Sequence, residues 1–125
     1  DLYGNAILVN TDFAEQNPEA VKGFLRALVK GFRDAVNDPA AGAAAVLTRN
    51  DILDIDVEIE RLTMANEMNI NTAYVQENGF GGIDMDRLAR AFEQLTVSMD
   101  LTGAVSPEDV VDLQFLPPAE ERMFD

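Results

Sequence analysis

The sequence predicts a mainly α-helical chain of about five helices with one buried β-strand at its start. Three observations lead there. Apolar residues recur every three or four positions through several segments, the spacing that lines one face of a helix. A capping residue precedes proline at Asn17-Pro18, Asp38-Pro39 and Ser106-Pro107, and each pair marks a helix start. A single unbroken apolar run, Ala6-Ile7-Leu8-Val9, lies between Gly4-Asn5 and Asn10-Thr11-Asp12, the pattern of a strand covered on both faces.

The strand, residues 1–10, needs neighbours, because buried backbone donors and acceptors must be paired and even a two-stranded hairpin is marginal in water. No second strand of comparable strength follows. Its sheet partners are therefore expected upstream of Asp1, the chain reads as the end of a larger protein, and the isolated piece is expected to associate through the orphan strand.

The helical part is expected over residues 11–116. In the first helix, Val21, Phe24, Leu25, Leu28, Phe32 and Val36 share one face, while Lys22, Arg26, Lys30 and Arg33 form a basic stripe on another. That stripe is either a docking surface for an acidic partner or an ordinary solvated face. Asp38-Pro39 opens a second, alanine-rich helix to Leu47, whose small side chains permit close approach, with Val46 and Leu47 as anchors. Asp54 or Asp56 caps a third, which carries Ile55, Ile59, Leu62, Ala65 and Met68 inward. Residues 69–82 read as an irregular, glycine-punctuated loop with a short extended piece at Ala73-Tyr74-Val75. Asp84 caps a fourth helix with Leu88, Ala91, Phe92, Leu95 and Met99 buried, Gly103 ending it and Leu101 packing at that end. Ser106, Pro107 and Asp109 open a short fifth helix through Leu113. Residues 117–125 read as a polar C-terminal tail, mobile from Ala119 on.

Composition narrows the chemistry. With 23 acidic and nine basic residues the formal charge is −14, which opposes binding to nucleic acid and to anionic membranes. No apolar run approaches the roughly 20 residues of a membrane-spanning helix. The chain contains no histidine and no cysteine, which removes the commonest acid/base and nucleophilic groups. The carboxylate pairs Asp54/Asp56 and Asp84/Asp86 stand at helix starts, where capping and the helix dipole favour acids without any catalytic role. Gly79-Phe80-Gly81-Gly82 lacks the lysine of a phosphate loop and is followed by acids that repel an anion. Nothing points to a cofactor, a metal or an enzyme activity. The remaining candidate site is Tyr3-Gly4-Asn5, which offers a stacking face, a close backbone approach and a two-way amide to a small ligand. Tyr3 could equally be an aromatic packing on the core.

Four segments, taken in order, carry a resemblance: Tyr3 to Asn10, then Asn17 to Ala27 with Asn37-Asp38-Pro39, then Gly82-Ile83-Asp84, and Phe115-Leu116-Pro117. Together they resemble the C-terminal part of the substrate-binding proteins of ABC importers for nitrate, sulfonate, taurine and thiamine-pyrimidine precursors. The resemblance implies an α/β parent of the two-lobed, periplasmic binding protein-like type II class. In that class the lobes close on a small solute by a hinge motion. It makes residues 1–10 a hinge crossover strand, residues 11–116 the helical part of one lobe, and Tyr3, Gly4 and Asn5 the ligand contacts. It further implies an exported or periplasmic, membrane-associated location, a membrane permease as partner and no catalysis. Two alternatives stay open. One is a helical protein-protein interaction module using the basic stripe or the Ala40 to Ala45 face; the other is an enzyme resembling the related pyrimidine synthase of thiamine biosynthesis.

Overall fold

The computed structural model describes residues 2–100 and 105–124. Among them are seven α-helices: α1 Thr11–Gln16, α2 Pro18–Asn37, α3 Pro39–Leu47, α4 Ile55–Ala65, α5 Ala73–Asn78, α6 Met85–Met99 and α7 Pro107–Val110. A π turn, Asn66–Ile70, continues α4, and a 3-10 turn, Ala119–Arg122, follows α7. The chain divides into two compact units, one of Asp1–Val21 with Ile83–Phe115 and one of Lys22–Gly82 with Leu116–Asp125.

The buried strand is absent. No strand occurs among the described residues, and residues 2–10 run without regular structure. Leu8 is 92% exposed, and Ile7 and Val9 are exposed too. A β-prone run forms a strand only when a second segment completes its ladder, and the described part of this chain offers none. The two small helical additions were also unforeseen. Asn10 ends the extended run by accepting from Phe13 N through its side chain at 2.9 Å, which starts α1. Thr72 caps Val75 N in the same way, so Ala73-Tyr74-Val75 begins helix α5 where an extended piece was expected.

Three of the other cap signals hold, while the Asn17 amide donates back to Phe13 O at 3.2 Å. Asp38 accepts from Ala41 N, Asp54 from Asp56 N and Val57 N, and Asp84 from Arg87 N. Helix α6 ends at Met99 with Asp100 left-handed at φ 49°; Leu101 and Gly103 lie outside the described residues. Ser106 donates to Asp109 from both its backbone N–H and its hydroxyl, each at 3.0 Å, and α7 stops at Val110, short of Leu113.

The first unit buries Ala14, Val21, Leu88 and Ala91. Leu88 and Ala91 belong to the stripe expected of α6, whereas Met99 is exposed. In the second unit Val29 of α2 and Ala43 of α3 are buried. Val29 was not among the residues expected inside, and Phe24, expected inside, is exposed. Close approach of the alanine-rich helix is realised at Gly42, where an added Cβ would lie 2.9 Å from Leu62 and 3.2 Å from Ala35. Val46, expected as an anchor there, is exposed.

A proline decides how α2 meets α4. The carbonyl of Ala35 would ordinarily receive the N–H four residues on, and that residue is Pro39, which has none. Asn66 supplies the missing donor, its Nδ2 lying 2.9 Å from Ala35 O. At this residue the helix changes pitch: the Asn66 carbonyl accepts from Asn71 N, five residues on, at 2.7 Å. The wider turn puts Asn66 inside, at 5% exposure, and Met68 outside, reversing the expectation for Met68.

The tail expected to be mobile is tied down. Arg122 is buried, and its guanidinium donates to Pro117 O at 2.8 Å and to Phe80 O at 2.6 Å. Phe80 N donates back to Arg122 O at 2.8 Å. Phe80 also stacks between Phe32 and Phe124, with ring centroids 4.4 and 5.4 Å away. Gly79, at φ 80°, lets the strap pass: a Cβ there would meet Ala119 O at 2.9 Å.

Two predictions follow from these ties. Arg122→Met leaves the Pro117 and Phe80 carbonyls without their donor, so urea denaturation should show a loss of about 2–4 kcal/mol. An unchanged midpoint would mean the strap adds nothing to stability. The two Ser106 bonds, backbone first, hold the exposed Asp109 carboxyl below its ordinary 3.8. A lowered carboxylate pKa stabilises the α7 start above that ordinary value and loses the effect as pH falls through the lower folded one. Carboxyl 13C NMR should place the Asp109 midpoint below 3.8, and Ser106→Ala should raise it.

Candidate functional site

Tyr3 occupies a defined place in the first unit. Its hydroxyl accepts from Asp84 N at 2.9 Å and faces Asp84 O at 3.4 Å. The Arg87 guanidinium lies over the ring, 4.3 Å from the centroid, and donates to Leu2 O at 3.0 Å. Asp84 is itself fixed as the cap of α6, so one helix start holds both the hydroxyl and the ring face. The cation over the aromatic ring adds roughly 0.5–1 kcal/mol at a partly exposed position.

The three predicted site residues do not share this environment. Tyr3 is half-buried, whereas Gly4 and Asn5 are exposed. Nothing beyond the chain neighbours lies within 4 Å of a Cβ built on Gly4, so that side of the backbone is open. Arg87 and the Asp84 backbone are the partners that sequence reasoning missed. The available signal was weak: an arginine three residues after a cap is common in helices and says nothing about a tyrosine 84 positions before it.

One member of each acid pair is a helix cap. Asp54 and Asp84 spend their carboxylates on helix-start N–H groups, and no metal-holding cluster of three or more suitable side chains occurs among the described residues. The basic stripe is in part occupied by the chain itself. Arg33 donates to Met123 O at 3.0 Å and to Glu121 O at 2.6 Å, Arg26 meets the Glu121 carboxylate at 3.4 Å, and Lys30 pairs with Asp34. A groove of about 440 Å³ runs along this face, where Glu120, Glu121 and Asp34 stand among the cations. Three carboxylates thus line the groove with three cations, Arg26 and Lys30 each being paired with one, and the groove carries little excess positive charge to attract an anion.

Tyr3→Phe separates the two roles of the tyrosine. The ring and its cation stay, while Asp84 N loses its partner; unfolding should show a loss of roughly 0.5–1.5 kcal/mol, with hydrogen exchange at Asp84 accelerated. Unaltered exchange there would show that the hydroxyl does not hold the helix start.

No curated protein and no solved structure matches the chain. A family model described as NMT1/THI5 like matches residues 1–42, which take in Tyr3, Gly4, Asn5, α1, α2 and the opening of α3. Over residues 1–42 the chain is similar to the NMT1/THI5-like family.

Proposed function

We propose that the chain is part of the solute-binding component of an ABC importer and captures a small solute non-covalently in a cleft between two lobes. The observation that carries this reading is the family match over residues 1–42. It covers two of the four segments on which the importer resemblance rests. In this reading Tyr3, Gly4 and Asn5 contact the solute, the open backbone at Gly4 and the exposed amide of Asn5 offering hydrogen bonds. Nitrate, sulfonates such as taurine, and thiamine-pyrimidine precursors are the solute classes to try. Delivery to a membrane permease follows, with the protein exported or periplasmic and membrane-associated; no helix among the described residues is long and apolar enough to cross a membrane.

The alternative of a helical interaction module loses ground at one place. Arg26 and Arg33, half of the basic stripe that would attract an acidic partner, hold the C-terminal strap instead. The enzyme alternative would have to work without histidine or cysteine from this chain.

Titration calorimetry with taurine, an alkanesulfonate, nitrate and an aminopyrimidine tests the proposal. One of them should bind saturably, and Asn5→Ala, at an exposed position that leaves the fold intact, should weaken it roughly threefold to tenfold, the range for one hydrogen bond. No heat with any of the four, from folded protein, would overturn the reading.

A further inference from the structure

The second unit contains a groove with no part in the reading above. Ala27, Leu28, Gly31 and Phe32 of α2 face Leu62 of α4 and Asn66 and Ile70 of the π turn around a space of about 300 Å³. Its walls are almost wholly apolar. Nothing lies within 4 Å of a Cβ built on Gly31, so the floor of the groove is open. Asn66 is its one side chain with amide groups. Because Nδ2 must donate to Ala35 O, the amide cannot be turned round, and Oδ1 is left as a buried acceptor with no partner. A buried acceptor without a donor costs about 1–3 kcal/mol and calls for an explanation. Single π turns also recur at functional sites, where the helix gives up regular pairing to aim a side chain.

We infer that this groove is a binding site for a small, mainly apolar molecule carrying one hydrogen-bond donor, which seats its body between α2 and the π turn and donates to Asn66 Oδ1. The lining fixes the class. A charged ligand would find no counter-charge, and a hydrocarbon would leave the orphan acceptor as it is. The volume is at the small end of ligand pockets, which suits a compact ring system. The oxygen is enclosed in this structure, so the assignment requires the π turn to open as the molecule enters.

Indole and indene test this, since the two share a shape and only indole has an N–H donor. Followed by 1H–15N correlation spectra of the whole chain, indole should shift the amides of Gly31, Ala35, Asn66 and Ile70, and bind roughly threefold to tenfold more tightly than indene. Gly31→Leu fills the open floor and improves helix propensity; it should keep the fold and abolish the shifts. Equal affinity for the two compounds, absence of localised shifts with indole, or binding retained in Gly31→Leu would each overturn the assignment.

Discussion

A buried guanidinium bound to two backbone carbonyls organises the second unit. Arg122 takes Pro117 O and Phe80 O, and no carboxylate stands as its ion-pair partner among the described residues. A buried cation is tolerated only when its donors are satisfied. Satisfying this one requires the C-terminal strap, the glycine turn and the arginine to be in register together. The positive φ of Gly79, the Phe32–Phe80–Phe124 stack and the grip of Arg33 on the strap backbone are parts of that arrangement. The aromatic pairs each add roughly 0.5–1.5 kcal/mol, comparable with a charge-assisted hydrogen bond, so neither kind of contact dominates the clasp.

Polar ties carry unusual weight here because large side chains do so little. Among the described residues no large side chain is fully buried, and Leu2, Ile7, Leu8, Phe13, Phe24 and Val97 are among the apolar residues left exposed. Buried apolar area gives roughly 25 cal/mol per Å², and a core built from Ala14, Val21, Val29, Ala43, Leu88 and Ala91 collects little of it. The caps at Asn10, Asp38, Asp54, Thr72 and Asp84 therefore decide where helices begin. The Asn66 link decides how two of them meet.

The same economy bears on function. The structure assigns Tyr3 firm work within the first unit, holding the start of α6 with Asp84 and Arg87. A solute reaching Tyr3 would meet a ring already covered on one face by a cation. Gly4 and Asn5, by contrast, are exposed.

The sequence by itself determined four of the helix starts, because a cap acts within three residues: Asp38, Asp54, Asp84 and the Ser106–Asp109 pair each appear where they were expected. It also determined the inner face of α6 at Leu88 and Ala91, since periodicity records burial directly. It misjudged residues 6–9, where apolar content alone cannot create the partner a strand requires. Tertiary structure decided the rest. That Asn66 turns inward follows from a missing N–H at Pro39, and that the acidic tail is held follows from Arg33, Arg122 and Phe80 meeting across long stretches of chain. Those ties join residues with no fixed spacing, and local pattern carries no record of them. The partners of Tyr3 were hidden for the same reason: a tyrosine announces that its hydroxyl needs a partner, and only the folded chain brings Asp84 and Arg87 to it.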